Sequence, residues 1–98
     1  FRAVAKEWLV KAEREGRAEV TIGKLRWLLE FAYPILGDRT VANIKAPELL
    51  AVLRGVEKRG HHETARRLRS TCGQVFRYAI ATGRGDRDVS TDLRGALI

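Results

Sequence analysis

The sequence holds a single cysteine, Cys72, two prolines and no methionine. One thiol cannot close a disulfide within the chain, and neither a Cys-x-x-Cys pair nor a Cys/His zinc spacing exists. That composition fits a reducing, cytoplasmic setting. Long apolar runs are missing too: nothing approaches the roughly 20 residues that cross a bilayer, and no cleavable leader precedes Phe1, so a soluble protein is expected. The lack of Met, together with a first residue that already belongs to a helical pattern, points to a piece of something longer. Signatures of chemistry are also absent: no Gly-x-Ser-x-Gly turn, no phosphate-binding glycine loop, no ordered nucleophilic triad and no spaced carboxylate pair. Asp86, Asp88 and Asp92 lack the glycine and the terminal bidentate Glu of a calcium loop. His61 and His62 are adjacent, so on a helix they diverge by about 100° and cannot share an ion. The chain is therefore read as non-catalytic, with no metal and no cofactor.

What is present is an ordinary globular balance. The 98 residues are 45% hydrophobic and 32% charged, room for one domain with one core. A chain this short buries only about 60 to 65% of its unfolded surface, so the core must come from well-patterned helices. Nineteen Lys and Arg against twelve Asp and Glu leave a net charge of +7. Such an excess favours a polyanionic partner, nucleic acid or an anionic surface, although many merely solvated domains share it.

The apolar residues repeat at helical spacing almost throughout. Phe1, Val4, Ala5, Trp8, Leu9 and Ala12 form one face of a first helix that Gly16 stops. Thr21 is placed to cap a second helix with a core line of Ile22, Leu25, Leu28, Leu29 and Ala32. Trp27 and Phe31 lie off that line, so this helix is either central or offers a flank to a partner. Pro34 and Gly37 close it. After a connection plugged by Val41 and Ile44, Pro47 opens a third helix directing Leu49, Leu50, Leu53 and Val56 inward and ending at Gly60. The fourth and longest helix runs from about His62 to Thr82, with Ala65, Leu68, Cys72, Val75, Phe76 and Ala79 on its buried line and Gly83 as its stop. Residues 84–98 lack periodicity until Asp92, Leu93, Ala96 and Leu97, which are placed to make a last short turn, and are read as a linker after a bundle spanning residues 1–83.

Rotation of 100° per residue gathers Glu63, Arg66, Arg67, Ser70, Gln74 and Arg77 on the solvated side of the fourth helix. The set suits a duplex: Arg clamps phosphate or reads guanine, Gln pairs with adenine, and Ser donates to a phosphate oxygen. A charged face kept merely for solubility accounts for the same residues. Against that, Glu63 is the sole acid between His61 and Thr82, whereas solvated helices usually interleave both signs. Cys72 lies on the buried line and is read as a small core residue.

Three stretches together, AKEWL in the first helix, YPILGDRTVANIKAPELLAVLRGVEKRG, and HETARRLRSTCGQVFRYAIATGR, carry a family likeness. The whole chain resembles the core-binding domain of phage and genomic-island integrases, which are tyrosine recombinases. The resemblance implies an all-α, SAM-like orthogonal bundle of four helices. It also implies a role in gripping one face of a recombination core site during DNA integration or excision, while a separate catalytic domain closes over the other face. Its second and fourth helices would approach the major groove, placing Thr21, Lys24 and Arg26 together with His62, Arg66, Arg67, Ser70 and Gln74 nearest the DNA; Arg77 joins them from the helix-face reading. The family's tyrosine nucleophile and Arg, Lys and His activators belong to the catalytic domain; Tyr33 and Tyr78 have no His-x-x-Arg companion and get no such role. Two positions depart from the family habit: Asp88-Val89 stands where Asn-Pro or Asp-Pro is common, and Ala46 where a hydroxyl cap is.

The expected partners are double-stranded DNA, the catalytic domain of the same chain and other integrase protomers, in a bacterial cytoplasm at the nucleoid, with no membrane. The competing reading is a basic helical protein-interaction module that docks through Trp27 and Phe31. An RNA-binding bundle would want open aromatic stacking platforms, which the sequence does not show.

Overall fold

The first helix forms where the apolar spacing places it. In α1 (Arg2–Arg14), Val4, Ala5, Trp8, Leu9 and Ala12 are buried on one face while Lys6, Glu7 and Lys11 face water. The structure, a computed structural model describing residues 1–98, continues with α2 (Glu19–Glu30), α3 (Tyr33–Leu36), α4 (Ala46–Lys58) and α5 (His62–Ala81). Two 3-10 turns, Val41–Asn43 and Val89–Leu93, complete an all-α fold without strands. The four long helices are those expected; α3 is an addition. No helix is long and apolar enough to cross a membrane.

Three local expectations are corrected. Thr21 does not cap α2: the helix starts earlier, with Ala18 extended at the cap position and Glu19 in the first turn, where its charge complements the helix dipole. Pro34 does not end a helix but sits in the first turn of α3, a position that needs no N–H, and α3 buries Tyr33 and Leu36. In α4 the inward set is Leu49, Val52, Leu53 and Val56, leaving Leu50 half-buried. This i, i+3, i+4, i+7 line is rotated slightly from the one read in the sequence. The α4 start also works without a hydroxyl at Ala46, because Glu48 Oε1 accepts from the Lys45 backbone N–H at 3.0 Å.

α5 is the central element, packing on α1, α2 and α4. Leu68, Cys72, Val75 and Phe76 on its inner line are essentially inaccessible. Gly83, at φ +76, takes the left-handed turn that ends the helix and sends the chain back along it.

The segment that follows packs on the bundle. Val89 and Leu93 join the same core as α1, α4 and α5, and the short turn expected from Asp92 to Leu97 lies earlier, as the 3-10 helix Val89–Leu93. Polar contacts fix it on α5: Asp88 accepts from Ser90 N–H at 3.0 Å and from Arg77 Nη1 at 2.7 Å, while Arg69 Nε donates to the Ser90 carbonyl at 2.9 Å. Contact this close requires Gly73, since a Cβ there would lie 2.6 Å from Ser90 Oγ. Further back, Arg84 binds Glu7 of α1 and thereby holds the Glu7 carboxyl below its ordinary range.

Candidate nucleic-acid interface

α2 and α5 lie side by side, and their exposed edges meet over a shallow groove of about 250 Å³. Leu25, Leu28 and Thr71 floor it; Thr21 and Lys24 rise from α2, and Arg67 and Ser70 from α5. Residues nearly fifty positions apart in the chain thus come to one place. Gln74 is half-buried one turn after Ser70 on the same face of α5, extending the polar edge along the helix. Thr71 belongs to neither the core line nor the polar face expected for this helix; it is buried and borders the groove.

The remaining candidates are placed elsewhere. Arg26 lies on the opposite flank of α2, where its guanidinium meets Glu13 of α1 at 3.2 Å. His62 turns toward α4, with Nδ1 3.7 Å from Glu57 Oε2. Arg66 and Arg77 share the solvated side of α5 but lean toward the C-terminal segment: Arg77 to Asp88, and Arg66 Nη1 to the Ile98 carbonyl at 2.9 Å. Periodicity along α5 could not reveal this, because the residues that hold them lie in an aperiodic stretch.

The electrostatics of the face turn on one carboxylate. Glu63 accepts from Arg66 at 3.0 Å and from Arg67 at 3.1 Å, the i, i+3 and i, i+4 spacings at which helical side chains meet. Those two hydrogen bonds hold the Glu63 carboxyl below its ordinary range, so at neutral pH it is ionised. All three groups are well exposed, so water screens these pairs and they are weak. Glu63 therefore holds the two arginines only loosely. Lys24 takes part in none of the ion pairs and is free to meet an anion. Cys72 has no part in such chemistry: complete burial, with Asp88 adding to it, pushes its thiol up to about 12.

Residues 1–96 match the family model described as the phage integrase central domain. The chain belongs to that family. The central domain is 34% identical over 97 residues to prophage integrase IntS of Escherichia coli K12 and 34% identical to the integrase of Shigella phage Sf6, matching 99% of this chain in each case. It spans about a quarter of the length of these relatives. Among solved structures, an NMR structure of a fragment of E. coli phage integrase IntS superposes with a TM-score of 0.80 at 34% identity, covering 97% of this chain and 80% of that one. A lambda integrase dimer bound to a core site superposes with a TM-score of 0.91 over all of this chain and 35% of that one. At 22% identity the lambda likeness establishes the fold alone.

Proposed function

We propose that this integrase central domain grips duplex DNA at a recombination core site, as the non-catalytic DNA-binding part of a site-specific tyrosine recombinase acting in integration or excision. The observation that carries the reading is the groove in which Thr21 and Lys24 of α2 meet Arg67 and Ser70 of α5. Lys24 and Arg67 supply phosphate affinity, and the short polar side chains between them sit where base edges or backbone oxygens pass. Gln74, with a donor and an acceptor on one amide, is the group best suited to reading adenine. Arg66 and Arg77 add phosphate contacts when they leave the C-terminal segment.

In this reading residues 84–98 lead from the bundle to the catalytic domain, which works with other protomers on the same DNA in the bacterial cytoplasm, at the nucleoid. Family membership, the net charge of +7 and the lambda integrase fold support it. The test is the affinity of the chain for a labelled duplex at low salt, measured for Lys24→Ala, Arg67→Ala and both together. Each single change is expected to weaken binding and the pair to weaken it further, with the helical circular dichroism unchanged. Wild-type affinity in the double variant would remove the groove from the DNA contact.

A further inference from the structure

α2 carries a second exposed line that shares only Lys24 with the groove. Val20, Lys24, Trp27 and Phe31 stand at i, i+4, i+7 and i+11, one stripe along the helix beside Thr21. Val20 is 73% and Trp27 54% exposed, and Phe31 is half-buried with its ring edge-on to the indole, centroids 5.0 Å apart at 80°. The pairing fixes the indole on the surface instead of letting it fold back on the core. Single exposed apolar residues need no explanation, but a packed aromatic pair in line with an exposed valine beside a basic groove does.

The charge on the stripe discriminates between occupants. Lys24 sits in its middle without a carboxylate partner, so an apolar protein surface laid over the stripe would strip water from an unpaired ammonium, at considerable cost. A duplex instead brings a phosphate to Lys24, and beside each phosphate it offers the apolar carbons of deoxyribose and the methyl groups of thymine. We propose that Val20, Trp27 and Phe31 form the apolar outer half of the DNA-contacting surface, with the Trp27 ring packed on sugar or thymine-methyl carbons next to a phosphate held by Lys24. This rests on the DNA-binding reading above and assigns to the aromatic flank of α2 a duplex in place of a protein partner.

The chain contains its own probe. Of its two tryptophans, Trp8 is 5% exposed and covered by Arg17, whose guanidinium carbon stands 5.6 Å from the ring centre, so a change of indole emission on adding DNA reports Trp27. The experiment follows the anisotropy of a labelled duplex and the emission of the protein with unlabelled duplex in parallel, for wild type, Trp27→Phe and Trp27→Ala. The expected result is quenched or shifted emission that saturates with binding and disappears in Trp27→Phe. Affinity should be near wild type for Trp27→Phe and about tenfold weaker for Trp27→Ala, with an unchanged salt slope because no charge is lost. Binding by anisotropy with unchanged emission overturns the proposal and leaves the DNA reading standing. No binding by anisotropy at low salt overturns both. Emission that changes with protein concentration in the absence of DNA assigns the stripe to a second copy of the chain and also overturns the proposal.

Discussion

Arg67 and Leu68 are chain neighbours with opposite surroundings, the guanidinium 60% exposed at the groove and the leucine wholly buried in the core. Arg67→Ala is expected to leave the melting temperature nearly unchanged and weaken duplex binding, whereas Leu68→Ala should cost about 2 to 5 kcal/mol in a denaturant titration. The reverse pattern would mean that α5 is misphased. Glu63 is the restraint on this face: Glu63→Gln removes a negative charge and loosens Arg66 and Arg67 together, so it should tighten duplex binding about threefold or more and steepen its salt dependence. Weaker binding in that variant would show that Glu63 orients the arginines productively. Cys72 gives a test of burial with a definite sign. From about pH 9 to 12 the unfolded chain gives up a thiol proton that the folded chain keeps, so alkaline pH favours unfolding over that window. A folded sample at pH 8 should accordingly resist a thiol reagent that labels the denatured chain at once; rapid labelling in the native state would place the thiol at the surface.

At the scale of elements, α1, α4 and α5 are legible because each has a single apolar stripe and a punctuating residue: Gly60 after α4, Gly83 after α5. The start of α2 is misread because Thr21 is the better cap by residue type, while the chain turns at Ala18, where no side chain marks the cap. Packing against α1 and α5, and not cap chemistry, sets that boundary. α3 escapes because a single turn has no period to read and Pro34 looks like a terminator. The segment after Gly83 escapes for a different reason. Its fixing contacts are long-range, Asp88 with Arg77 and Ser90 with Arg69, and only Gly73, an unlikely residue inside a helix, marks where it comes down. Gly73→Ala puts a methyl group against Ser90 and the Arg77 guanidinium, so the segment must shift. The expected cost is about 1 to 3 kcal/mol, with faster amide exchange confined to residues 84–98 and the N-terminal half of α5 unaffected. Uniform loss of protection along the chain would mean instead that the C-terminal segment and the bundle unfold as one unit.

For the molecule as a whole, the polar face of α5 was readable from its own rotation; its meeting with α2 came only from the family resemblance, and the engagement of Arg66 and Arg77 by the C-terminal segment from neither. Both depend on elements far apart in sequence. The consequence is a count of available cations. Four to six neutralised phosphates would give a log-log salt slope of about −4 to −5, but that range needs the arginines of α5 in addition to Lys24. With Arg77 paired to Asp88 one fewer is free, so the docked C-terminal segment lowers the effective charge of this face. Asp88 is the point at which to test this, because its side chain is only 9% exposed and accepts from both Arg77 and Ser90. Asp88→Ala releases Arg77 without removing any cation from the face. Duplex affinity at low salt should rise, and the slope should steepen by about one unit for the one phosphate gained. Arg77→Ala should remove that gain in the double variant while leaving the wild-type slope nearly as it was, since in the wild type Arg77 is already engaged. Salt titrations of the four proteins against one duplex measure all of this. If Asp88→Ala leaves the slope unchanged while the chain remains folded, Arg77 is a structural tie for the C-terminal segment and the contact with DNA is confined to the α2–α5 groove.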